Sequence, residues 1–140
     1  MRNRGRKSQL GVTLIELMTV VSVVGILTTI GYPMYLEQVV KGRRAGAKAM
    51  LHNVLQQSER FYTENNVFTD DMAVLGFGAG PVMSENDTHT ISLAAGPTGD
   101  IATSVTITAT PVSPDAKCNV VTLSSDLSHT ASGTNPAICW

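Results

Sequence analysis

Apolar and polar positions divide the chain into three regimes. From Leu17 to Leu36, twenty residues carry no charge. A helix of that length spans about 30 Å at ~1.5 Å per residue, the hydrocarbon thickness of a bilayer. Beyond it, Leu36, Val39, Val40, Ala47, Met50, Leu51, Val54, Leu55, Phe61 and Tyr62 recur at helical spacing. Glu37, Lys41, Arg43, Arg44, Lys48, His52, Gln56, Gln57 and Glu59 fill the positions between them. That pattern predicts an amphipathic helix with one apolar stripe for a partner surface. Glu64-Asn65-Asn66 breaks the pattern, so the helix should end near Thr63 to Asn66. Residues 12–36 and 37–63 thus read as two halves of one extended helix.

The third regime alternates with period two. Residues 64–88 read as a loop that Phe68 and Leu75 tack to the core. His89 to Ala95, Ile101 to Thr110 and Val120 to Ser125 each place apolar residues on one face, and Pro97 to Asp100 and Pro111 to Asp115 read as turns. Residues 126–140, rich in Ser, Thr, Gly and Asn, read as a closing loop. Three β-branched strands in succession predict an antiparallel meander, half buried on one face. The long helix is the cover for that face. The fold class is α+β, with a globular part at residues 64–140.

The charges change the picture most at the amino end. Met1 to Gly11 carries Arg2, Arg4, Arg6 and Lys7 and no acid. Glu16 is the one charge inside the apolar zone. A secretory signal peptide is the naive reading, but the apolar run is too long and no small-x-small cleavage site follows it. The small residue open to a protease, Gly11, precedes the run, so a cut there leaves the hydrophobic helix on the mature chain. Without the head, the chain has six basic and eleven acidic side chains, a net of −5. After Tyr62, Lys117 stands alone against eight acids. Such a region repels phosphate, so no nucleic acid partner is expected for it. The basic head places the amino terminus in the cytoplasm and the rest outside. Outside is oxidising, which predicts a disulfide between the two cysteines, Cys118 and Cys139.

A carboxylate in hydrocarbon costs about 2.5–3.5 kcal/mol and is by default functional; a glutamate snorkelling to the headgroups is the plain alternative. Gly25, Thr28, Thr29, Gly31 and Pro33 crowd the second half of the span. Gly25 to Pro33 is therefore a candidate for local unwinding once the helix is packed among others, with a mild proline kink as the alternative.

Lys7-Ser8-Gln9-Leu10-Gly11 followed by Val12-Thr13-Leu14-Ile15-Glu16-Leu17-Met18 resembles the class III leader of type IV prepilins, although Val12 stands where that family most often has Phe. Phe61-Tyr62 with Asn66 and Phe68, Thr108-Ala109-Thr110-Pro111, and the tail from Cys118 to Cys139-Trp140 resemble PilE-like minor pilins. The resemblance implies the type IV pilin fold: a long amino-terminal helix on a small antiparallel sheet with a carboxyl-terminal disulfide loop. It implies a leader at residues 1–11, cut between Gly11 and Val12, and N-methylation of Val12. Glu16 would meet the Val12 amino group of a neighbouring subunit, and the helix would melt between Gly25 and Pro33. It further implies a prepilin peptidase/N-methyltransferase as processing partner and the inner membrane as first location. Other pilin subunits would be the final partners, in a pilus serving assembly, twitching motility and adhesion. A major pilin, a type II secretion pseudopilin and a pilus-tip DNA-uptake module are the alternatives.

Chemistry of other kinds finds little footing. His52, His89 and His129 have no metal-ligand spacing to one another or to the cysteines. GxSxG, a phosphate loop and HExxH do not occur. Asp70, Asp71 and Asp87 do not form an EF-hand. No enzyme, cofactor or metal is expected.

Overall fold

The computed structural model describes residues 11–140; the basic head at residues 1–10 lies outside the described residues. The chain divides into two compact units, one reaching to Gln38 and the other Val39–Trp140. One helix, α1 (Leu14–Asn65), supplies the regular structure of the first unit among the described residues and the cover of the second. It stops where expected. Asn66 takes a left-handed conformation (φ 57°), and its N–H donates to the Tyr62 carbonyl at 2.7 Å. Asn tolerates that conformation better than most residues, which makes it a natural helix terminator.

In the first unit, Leu14, Leu17, Val21, Ile26 and Ile30 are all exposed, and the helix is long and apolar enough to cross a membrane. Four hydroxyl side chains of this stretch are folded back on the backbone. The Thr19 hydroxyl donates to the Glu16 carbonyl, Ser22 to Met18, Thr28 to Gly25 and Thr29 to Ile26, all within 2.7–2.9 Å. Such bonds hide polar groups from an apolar solvent.

In the second unit, α1 buries Arg44, Ala47, Leu51, Val54, Leu55 and Ser58, a stripe of helical period. It packs on a five-stranded antiparallel sheet of order β1-β2-β3-β4-β5. The strands are β1 (Val82–Met83), β2 (His89–Ala95), β3 (Val105–Pro111), β4 (Val121–Ser124) and β5 (His129–Ala131). Alternation puts Ile91, Val105, Ile107, Ala109, Val121 and Leu123 inward. Leu51 and Ile107 are fully buried at the centre; each such side chain contributes roughly 1.5–3 kcal/mol. Phe68 and Leu75 are buried and tack the post-helix segment down, with Tyr62 stacked on Phe68 at 4.5 Å.

Three sequence expectations need correction. Residues 64–88 are not all loop: β1 lies among them and pairs Val82 with Ile91. The second predicted strand segment, Ile101 to Thr110, starts only at Val105. Asp100 holds Ile101 to Ser104 in a turn, its carboxylate accepting from the Ala102 N–H and its carbonyl from Thr103 and Ser104. Residues 126–140 also hold a strand, β5, which pairs Thr130 with Thr122.

Cys118 and Cys139 are bonded, with Cα atoms 5.6 Å apart. Gly133 lies inside the loop they close, where a Cβ would run into the Lys117 carbonyl. The bond cross-links positions 21 residues apart. Loops of this length are worth about 3 kcal/mol in the chain-entropy account. Cys139→Ser is expected to lower stability by about that amount. A thermal melt of the oxidised full chain checks this, and an unchanged melting temperature would show an idle bridge.

Candidate functional site

The residues singled out by sequence fall at three places. The first is the start of α1. Gly11 and Val12 precede the helix, and no described residue lies within 4 Å of a Cβ built on Gly11. Thr13 begins the helix from outside: its hydroxyl accepts the Glu16 N–H at 3.3 Å and its carbonyl accepts the Leu17 N–H at 3.1 Å. Glu16 therefore sits in the first turn, among backbone N–H groups that α-helical pairing leaves without partners. The partial positive charge of a helix amino terminus favours a carboxylate there. Thr13-Leu14-Ile15-Glu16 also has the spacing of a capping box, so Glu16 has a local reason for its place beyond any distant partner.

The second place is Gly25 to Pro33. α1 runs unbroken through both residues. Pro33 has no N–H, so the Thr29 carbonyl loses its helical donor. The Thr28 hydroxyl is bonded to the Val24 and Gly25 carbonyls one turn earlier. The two residues are brought no closer than their places along one helix allow. The third place is the disulfide, which the fold does bring together.

Sequence reasoning missed a fourth. Arg44, read from the sequence as one of the polar positions between the apolar ones, is buried. Its Nε donates to Asp115 Oδ2 at 2.6 Å and its Nη2 to Oδ1 at 2.8 Å. Asp115 Oδ1 also accepts the backbone N–H groups of Lys117 and Cys118. One carboxylate thus ties α1 to the start of the disulfide loop. The signal was available: Arg44 is three residues before Ala47, in phase with Leu51, Val54 and Leu55. Beside it, His89 is buried at the start of β2, with Nδ1 3.1 Å from the Thr88 hydroxyl.

These two groups set an acid response. The Arg44 guanidinium, helped by the Cys118 and Lys117 amides, holds the Asp115 carboxyl below its ordinary value of 3.8. Burial holds the His89 imidazole below 6.5, against the pull of Asp115. A depressed histidine favours the neutral form in the folded state, so stability fades as the pH falls below 6.5 and the unfolded chain takes the proton first. A depressed carboxylate adds stability above 3.8 that is lost as the pH falls through its folded value. Both act in one direction. The melting temperature is expected to fall in two stages on acidification, with His89→Gln flattening the upper stage alone. A single stage below pH 3.8 would remove His89 from the account.

A membrane-length helix opened by a Gly-Val junction and a first-turn glutamate, continuing onto a small antiparallel sheet closed by a disulfide, is the architecture of a type IV pilin. Residues 6–32 match the model of the prokaryotic N-terminal methylation motif. Residues 33–122 match the family model described as type IV minor pilin ComP, DNA uptake sequence receptor. The chain belongs to that family of type IV minor pilins. It is also 31% identical over 86 residues to the type IV major pilin protein PilA of Myxococcus xanthus, a stretch that covers 61% of this chain and 38% of that protein.

Proposed function

We propose that the chain is a structural subunit of a type IV pilus, a PilE-like minor pilin acting in pilus assembly, twitching motility and adhesion. A prepilin peptidase/N-methyltransferase cuts between Gly11 and Val12 and methylates the new amino group. The subunit waits in the inner membrane with its amino end in the cytoplasm and its sheet outside, and then joins other pilin subunits in the filament. Glu16 takes the Val12 amino group of a neighbour as counter-ion and fixes the stagger between helices. The Gly25–Pro33 segment is the part of the helix that yields when helices pack.

One observation carries this reading. From Leu14 to Leu36, α1 exposes a largely apolar surface in which Glu16 is the one charge. A lipid bilayer accepts the apolar surface, and a positively charged partner at equal depth would offset the carboxylate. The test is the intact mass and amino-terminal sequence of the chain from membranes of a host with prepilin peptidase. A chain beginning at methylated Val12 supports the reading; one beginning at Met1 removes it.

The family model's description supports a second reading, a receptor for DNA. Its phosphate contacts would fall to Lys41, Arg43 and Lys48, exposed or half-buried on α1. The net charge of −7 after Tyr62 weighs against it. Salt-sensitive retention of duplex DNA by the full chain in a gel shift would decide for the receptor.

A further inference from the structure

Charge within residues 39–140 is sorted along the strand direction. At one end, here the base, Val40 and Arg43 of α1 line a cleft with His89, where β2 begins. The β3–β4 connection returns to this end and sets Asp115 on Arg44. Lys41, Arg43, Arg44, Lys48 and Lys117 belong to the base, against Glu85, Asp87 and Asp115, a formal +2. At the other end, the crown, α1 and β2 finish. The Phe68 N–H donates to the Ala102 carbonyl at 3.1 Å, which places the segment after α1 beside the β2–β3 turn. The Ser125 N–H donates to the Val105 carbonyl at 2.9 Å, which brings the β4–β5 turn to the same end. Glu59, Glu64, Asp70, Asp71, Asp100 and Asp126 gather here, against Arg60 alone, a formal −5.

The crown is short of cations in a second respect. A helix carboxyl terminus carries a partial negative charge of about half a unit and favours Lys or Arg in its last turn. The last turn of α1 holds no basic residue, and Arg60 is already 3.2 Å from Glu64. The base offers the missing charge. Lys41 and Arg43 are exposed there and Lys48 is half-buried. Arg43 also borders a groove along α1 opposite Glu85 and Thr88, left open because Gly42 and Gly46 carry no side chain.

We propose that the crown of one copy docks head to tail on the base of a second copy, with Asp70, Asp71 and Asp100 answering Lys41, Arg43 and Lys48. The proposal rests on the filament-subunit reading and adds the contact between sheet domains to it. A contact between two different patches does not close on itself and propagates as an open array. Complementary charge orients such a contact and makes it salt-sensitive. Screening shortens the reach of exposed charges from about 30 Å at 0.01 M salt to about 10 Å at 0.1 M.

The full chain, as sole pilin in membranes of a host with prepilin peptidase, is treated with a carbodiimide that joins carboxylates to touching lysines. Dimers, trimers and higher rungs are expected, with peptides linking Lys41 or Lys48 to Asp70, Asp71 or Asp100. Raising salt from about 0.05 to about 0.5 M should cut the ladder roughly tenfold. Asp70→Lys with Asp71→Lys should cut it as far, and so should Lys41→Glu with Arg43→Glu. All four changes in one chain should restore it. Every substituted position is exposed, and Asp71→Lys gives up one surface turn bond, in which Asp71 Oδ1 accepts the Ala73 N–H. A ladder indifferent to both salt and charge reversal overturns the proposal, as does a charge-swapped chain no better than either parent. Amino-terminal sequencing of the same membranes separates the failures. A chain processed at Val12 without a salt-sensitive ladder removes the head-to-tail contact only, whereas a chain still beginning at Met1 removes the subunit reading and this contact with it.

Discussion

Asp115→Ala is expected to cost residues 39–140 about 3–5 kcal/mol, the range for breaking a buried ion pair by removing one partner. The substitution strips the Arg44 guanidinium of both its carboxylate bonds while the arginine side chain stays about one-tenth exposed. It also takes the acceptor from the Lys117 and Cys118 N–H groups at the start of the disulfide loop. Arg44→Met should cost less, because Asp115 keeps those two amides and the methionine stem can lie along the apolar stripe. The double variant should cost less than the sum of the singles, by a coupling of about 0.5–3 kcal/mol. Denaturant unfolding of the three full-length variants in detergent measures the cycle. Strict additivity, or a milder Asp115→Ala than Arg44→Met, would show that the pair does not carry a buried charge.

Glu16→Ala is expected to leave membrane insertion intact and to lower recovery in sheared filaments about tenfold or more. The physics sets the sign of each half. Removing the carboxylate relieves a burial cost of about 2.5–3.5 kcal/mol, so the anchor itself should be held in lipid at least as well. The first-turn bond also survives, because the Glu16 backbone N–H, not its side chain, donates to Thr13. Any loss must therefore come from contacts between subunits. The ratio of filament to membrane protein, read by immunoblot, is the measurement. Normal incorporation would leave Glu16 as no more than a helix-capping residue.

How much of this was legible in the sequence differs by element, for physical reasons. The end of α1 was readable because Asn65-Asn66 combines a lost period with a residue that accepts positive φ. β2 was readable to the residue because its inner positions, His89 and Ile91, alternate with less buried ones. β5 was not, because His129, Thr130 and Ala131 form an edge strand with no buried position, so hydropathy alternation has nothing to mark. β1 is two residues long, shorter than any periodicity can show. The disulfide followed from topology and compartment. Arg44 was misread because side-chain type was given more weight than phase: an arginine in register with Leu51 and Val54 belongs to the stripe, and its charge called for an acid elsewhere in the chain. Glu16, Gly25 and Pro33 stood out through conflict with their apolar surroundings, a cue that marks a residue without supplying its partner.

The single tryptophan of the chain stands next to the second cysteine. Its indole N–H donates to the Thr130 carbonyl of β5 at 3.0 Å, and its ring lies 4.8 Å from His129 and 6.4 Å, edge-on, from His52 of α1. Trp140 therefore touches the helix, the last strand and the cross-link at once. Its ultraviolet emission is an optical gauge of residues 39–140, native to the chain and free of any label. Opening the Cys118–Cys139 bond is expected to loosen the indole and move that emission to the red, so closure of the bond can be timed by light alone.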